Sequence, residues 1–149
     1  GREVRLIGAY IIKCEDFKLD EHGNVNEIYC TYDPDSKSGM SGAQRKVKGT
    51  IHWVSAQEAI DAEVRLYDRL FSDEDPAGHK DKDFKEFLNT DSLKVLNNCK
   101  LEPSLFTAKP GFSMQFPRLG YFCIDPDSNE NKLVVNRTVP LRDSWTKNR

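Results

Sequence analysis

Apolar residues recur at every second position along most of the chain, and this period divides it into short strands. In "EVRLIGAYIIKC", Val4, Leu6, Tyr10, Ile12 and Cys14 share one face, as side chains at period two do on a pleated strand. Arg5, Ile7, Ala9 and Ile11 share the other, so the segment reads as one strand covered on both sides near its middle. His22-Gly23-Asn24 stands between two alternating runs and predicts a hairpin, because Gly23 can take the positive φ that such a turn needs. "DSKSGMSGAQ" reads as a flexible loop. "RKVKGTIHWVS" predicts the next strand, with Val47, Ile51 and Trp53 on one side. Ser55-Ala56-Gln57-Glu58 has capping-box spacing and predicts a short helix. That helix must end before "EVRLYDRLF" resumes the alternation.

"SDEDPAGHKDKD" is charged, holds Pro and Gly, and has no apolar period, so it reads as the linker. "KDFKEFLN" predicts a helix of one or two turns. Strand-like "SLKVLNNC", "FSMQF", "GYFCID" and "KLVVNRTVPL" follow, with turn chemistry at residues 125–129. About seven or eight short strands with one or two short helices define an all-β fold, either small barrels or a sandwich. Within "QFPRLGYF", the forked side chains of Gln115 and Arg118 stand just ahead of an expected Gly-Tyr-Phe turn.

Charge changes this picture locally rather than globally. The net charge of −2 argues weakly against a nucleic-acid partner. Residues 36–57, however, carry Lys37, Arg45, Lys46 and Lys48 and no acid, and residues 132–149 carry five basic residues against Asp143. Fields from exposed charges fade over about 8 Å at physiological salt, so a local basic patch can bind phosphate whatever the total. Arg45, Lys46 and Lys48 are candidates for phosphate contact. For Arg65 and Arg69 the favoured reading is salt bridges across a strand pair.

Several chemistries find no support. Cys14, Cys30, Cys99 and Cys123 form no C-x-x-C pair, and His22, His52 and His79 are scattered, so no zinc spacing arises. Reduced, structural cysteines point to a cytosolic, hence cytoplasmic, protein. No apolar run approaches the about 18 residues of a membrane-spanning helix. The Gly39–Gly42 stretch ends neither as a P-loop nor as a dinucleotide turn, and no nucleophile elbow or triad stands out. His52, in a β run beside Trp53, reads as a packed histidine.

Six ordered stretches, "GREVRL", "KGTIHWVS", "EVRLYDRLF", "LEPSL", "QFPRLGYFC" and "NRTVPLRDSW", resemble the C-terminal anticodon-binding region of glutaminyl-tRNA synthetases. The resemblance implies two small β-barrels of a kind shared with a ribosomal RNA-binding protein. Residues 1–72 would form the distal barrel and residues 73–149 the returning part of the proximal one. The opening strands of the proximal barrel would lie upstream, leaving an exposed edge that predicts either an unusual closure or a self-associated form. The resemblance further implies a partner, tRNA for glutamine, rather than DNA or a membrane. The parent would be a ligase whose catalytic domain, on the same chain, uses ATP and magnesium; no cofactor is expected in this region.

The same resemblance implies roles for particular residues. Gln115 and Arg118 match the family's Gln and Arg that help read the middle anticodon base, a uridine. Arg5 falls where the family places an arginine near the first anticodon base, although Ile7 stands where some members carry a second basic residue. Two alternatives keep the binding class: the anticodon-binding domain of a glutamyl-tRNA synthetase, and a free-standing RNA-binding β-barrel.

Overall fold

The computed structural model describes residues 1–141. The end of the "NRTVPLRDSW" stretch, with Asp143 and the basic residues beyond Leu141, lies outside them. The chain is all-β and divides into two compact units, Gly1–Trp53 and Val54–Arg149.

The first unit is a four-stranded sheet in the order β3-β2-β1-β4, with β1 at Glu3–Leu6, β2 at Ile11–Leu19, β3 at Val25–Asp33 and β4 at Thr50–Ile51. The expected continuous strand over residues 3–14 is instead two strands. Gly8 takes φ +70°, Ala9 N–H donates to the Leu6 carbonyl at 3.0 Å, and β1 turns back antiparallel onto β2. A period-two pattern survives such a turn, because both strands of a hairpin share the pleat. The second hairpin forms where predicted, with Gly23 at φ +81° and the Asp20 carboxylate accepting from the N–H groups of His22 and Asn24. Of "RKVKGTIHWVS" only Thr50 and Ile51 pair, parallel to β1, and Trp53 Nε1 donates to the Ile7 carbonyl at 2.9 Å. The small core centres on buried Ala9, Ile11 and Ser36. There the Ser36 hydroxyl accepts from Ile11 N–H at 2.8 Å and donates to the Asp33 carbonyl at 2.6 Å, so it is buried with its bonds made.

The second unit is a five-stranded sheet in the order β6-β5-β9-β8-β7, with β5 at Ile60–Tyr67, β6 at Leu93–Leu101, β7 at Ser113–Phe116, β8 at Gly120–Ile124 and β9 at Leu133–Val139. One pair, β5 and β9, is parallel; the other pairs are antiparallel. One face packs Ala62, Val64, Leu101, Leu105, Phe122, Ile124 and Val135 into a continuous core, flanked by Met114 and Phe116. Because β5 pairs with both β6 and β9, the boundary falls after Trp53 rather than at the expected residue 72. The charged stretch read as a linker belongs to the second unit, where its His79 ring stacks on Phe87 at 4.6 Å and Phe71 bridges to Leu88.

The predicted helices shrink to single turns. Ser55 accepts from Ala59 N–H at 2.8 Å, and β5 then begins at Ile60. Phe84–Phe87 is one 3-10 turn closed by a capping box, with Asp83 and Glu86 each accepting from the other end's backbone. Each sheet is open among the described residues, with β3 and β4 at the edges of one and β6 and β7 at the edges of the other.

Candidate RNA-binding surface

The β7–β8 hairpin holds Gln115 and Arg118. Met114 and Phe116 turn into the core, so strand alternation sends Gln115 outward, where it is exposed. The turn is not the expected Gly-Tyr-Phe. Leu119 N–H donates to the Phe116 carbonyl at 3.0 Å, which places Pro117 and Arg118 at the two central positions, and Gly120-Tyr121-Phe122 opens β8. Pro117 presets its own φ, and Arg118 takes φ +69°, the pattern of a type II turn. A left-handed conformation costs a non-glycine residue about 1–2 kcal/mol, and such strain persists where its surroundings enforce it. The enforcement lies beneath the turn. Phe116 and Phe122 pack with ring centroids 4.7 Å apart, and Gly120, opposite Phe116, is buried against β9. Arg118 is thereby held exposed at the tip of a stiff hairpin, with Gln115 exposed on the same hairpin.

The four basic candidates lie in the first unit, and they are not alike. Arg5 is half-buried. Its guanidinium donates to the carbonyls of Ser36 at 3.3 Å, Ala43 at 2.6 Å and Arg45 at 3.0 Å, tying the 36–45 loop to β1. Arg45 is exposed but pairs with Glu3 at 3.1 Å and Asp33 at 3.0 Å. Lys46 and Lys48 are exposed, and among the described residues neither makes an ion pair. Of the four, these two lysines present the least encumbered charge.

Arg65 is bound up in structure. It reaches Glu63 at 2.8 Å, Asp127 at 2.7 Å and Asp125 at 3.5 Å, while Lys132 holds Glu63 from the other side at 2.7 Å. The Asp127 hydrogen bond, then that of Glu63, holds the Arg65 guanidinium charged well above its ordinary range. Lys132, then Arg65, holds the Glu63 carboxyl below the usual carboxylate range. Asp125 is lowered by the backbone N–H of Asp127 and by Asn136, whose amide donates to it. Arg65 is thus held in salt bridges as expected, but to its own strand and to the β8–β9 loop rather than across a strand pair. Arg69 lies 3.9 Å from the neighbouring Asp68. A groove of about 430 Å³ lined by Ile60, Phe106, Lys109, Asn129 and Leu133 opens at the far end of β9 from the Pro117–Arg118 turn, and so is separate from it.

Sequence reasoning missed Tyr121. It stands opposite Gln115 on β8, exposed on the outer face. The strand-like "GYFCID" pattern puts Tyr121 and Phe122 on opposite faces, but which face is buried is decided by the core that Phe122 joins.

The chain belongs to the family of class I tRNA synthetases (E and Q), anti-codon binding domain, whose description matches residues 50–125 and, in a second part, residues 1–33. Its relatives include glutamine–tRNA ligases. That of Vibrio parahaemolyticus is 53% identical over 148 residues, covering 99% of this chain and 26% of the relative. Those of Rhodopirellula baltica and Tolumonas auensis are 50% and 52% identical, covering 99% and 97% of this chain and 24% and 26% of the relatives. The chain spans about a quarter of the length of these curated relatives.

Proposed function

We propose that this chain reads the anticodon of tRNA for glutamine, as the RNA-binding arm of a cytoplasmic glutamine–tRNA ligase. The supporting observation is the pairing of two exposed forked side chains, Gln115 on β7 and Arg118 at φ +69°, on one hairpin of an anticodon-binding family member. Proteins read single-stranded RNA by the Watson–Crick edges of unstacked bases. Uracil offers an N–H between two carbonyls. The Gln115 amide can accept from the N–H and donate to a carbonyl, and the Arg118 guanidinium adds donors and charge for a carbonyl or a neighbouring phosphate. Cytosine reverses two of those positions, and each buried group left unpaired costs about 1–3 kcal/mol.

In this reading the first unit is the distal element and the second the returning part of the proximal one. Arg5 shapes the loop that presents Arg45, Lys46 and Lys48 toward phosphates, and its own approach to the first anticodon base uses the N–H groups its three carbonyls leave. Glutamine activation, with ATP and magnesium, belongs to the catalytic domain of the same ligase.

The test is binding of the 149-residue chain to anticodon stem-loops with uridine or cytidine at the middle position. Preference for uridine by roughly tenfold or more is expected; equal affinity for the two loops removes the reading. Glutamine and glutamate anticodons share that uridine and differ in the third base, G against C. Preference of the complete ligase for a loop ending in C would assign the chain to the glutamyl branch.

A further inference from the structure

Gln115 does not stand alone on its face of the hairpin. It is in register with Tyr121 across the β7–β8 ladder, and Tyr121 is in register with Val139 across β8–β9. An amide and a phenol ring are therefore directly opposed across β7–β8, while the Tyr121–Val139 pairing sits at a register shift in the β8–β9 ladder. All three are exposed, Tyr121 at 47% and Val139 at 52%. Phe122, the next residue along β8, is buried on the opposite face, which fixes the ring of Tyr121 outward. The backbone carbonyl of Tyr121 is held by the Thr138 hydroxyl at 3.2 Å, so the ring stands on a pinned strand.

We infer that Tyr121 is the stacking platform for the base that Gln115 reads, an inference that rests on the middle-uridine reading proposed above. Directly opposed residues of an antiparallel pair have Cβ atoms about 4.5–5.5 Å apart. A base lying flat on the Tyr121 ring therefore presents its edge beside the Gln115 amide. An unstacked base needs such a surface to replace the stacking it loses, and aromatic side chains are the usual replacement. Tyrosine suits an exposed position that is empty part of the time, because its hydroxyl stays wet while its ring offers an apolar face. Gln115 supplies the choice of base; Tyr121 holds whichever base arrives in the plane where that choice can be made.

The test uses the 149-residue chain and two anticodon stem-loops, one with uridine and one with an abasic nucleotide at the middle position, measured by fluorescence anisotropy. Tyr121→Ala should weaken binding of the uridine loop by roughly 5- to 100-fold. Its effect on the abasic loop should stay within about twofold, because a stacking residue has nothing to contact there. Tyr121→Phe should bind both loops like the original chain. A loss of equal size on both loops overturns the stacking role, while a Gln115→Ala effect confined to the uridine loop leaves the amide's role standing. Indifference of the original chain to removal of the base overturns both. A further measurement requires no variant: 5-iodouridine at the middle position, irradiated in complex with the chain, should form its adduct on Tyr121. An adduct found only on other peptides overturns the inference.

Discussion

A methyl group placed on Gly120 would stand 2.5 Å from the Val139 carbonyl oxygen and 3.4 Å from the Arg137 side chain. Gly120 also has φ +138°, a conformation side chains rarely adopt. The β7–β8 hairpin is seated on β9 through this contact. Gly120→Ala must push the strands apart as well as strain the backbone. The expected loss is about 2–4 kcal/mol of stability. It should appear as a lower urea midpoint with an unchanged slope. A midpoint like that of the original chain would mean that β8 and β9 separate at little cost.

Arg118 makes the complementary case, a residue with a side chain held at a left-handed backbone position, φ +69°. Arg118→Gly removes the left-handed strain but also the side chain's contacts. These oppose one another, so stability should change by less than about 1 kcal/mol in either direction. RNA binding should nevertheless weaken by roughly 5- to 100-fold. The dependence of affinity on salt should also become shallower if the guanidinium meets a phosphate. Urea titration and anisotropy on one preparation separate the two effects.

The strands were legible because period-two alternation is local: Val64 and Leu66 face inward, Glu63 and Arg65 share the other face of β5, and Gln115 faces outward as the pattern demands. What was not legible depended on partners or on backbone signs. Gly8 breaks the first predicted strand without disturbing its alternation. The Pro117–Arg118 turn was misplaced because an arginine at positive φ is unusual, and the nearby Gly120 attracts the turn assignment instead. The loop held by Arg5 could not be foreseen, since its carbonyl partners lie 31, 38 and 40 residues away. The domain boundary moved for the same reason, as only the pairing of β5 with β6 and β9 shows which unit it serves.

Acid should loosen the second unit through Glu63 and Asp125. Both carboxyls are held below their ordinary values of 4.5 and 3.8, so the folded state binds protons more weakly than the unfolded state. Their contribution is fully present above those values and is lost as pH falls through the lower, folded ones. Stability followed by urea titration should therefore decline below about pH 4.5. Glu63→Gln should flatten the upper part of that decline. Arg65 stays charged throughout, so Arg65→Met should remove part of the acid sensitivity while lowering stability at neutral pH. An unchanged pH profile in both variants would show that these pairs do not differ between folded and unfolded chains.

Arg5 and Lys46 carry charges of the same sign within one loop system, yet they should fail in different ways. The Arg5 fork satisfies three carbonyls at once, and a lysine ammonium on its single flexible stem cannot match that geometry. Arg5→Lys keeps the charge and should still cost about 1–3 kcal/mol, with faster amide hydrogen exchange over residues 37–46. Lys46→Ala and Lys48→Ala should leave exchange unchanged. Each should instead reduce the salt slope of RNA binding by about 0.7, the value for one single-strand phosphate contact. Arg45→Ala should move the slope less, because Glu3 and Asp33 already share its charge. If Arg5→Lys left exchange unaltered and only lowered affinity, Arg5 would be an RNA contact first and a clasp second.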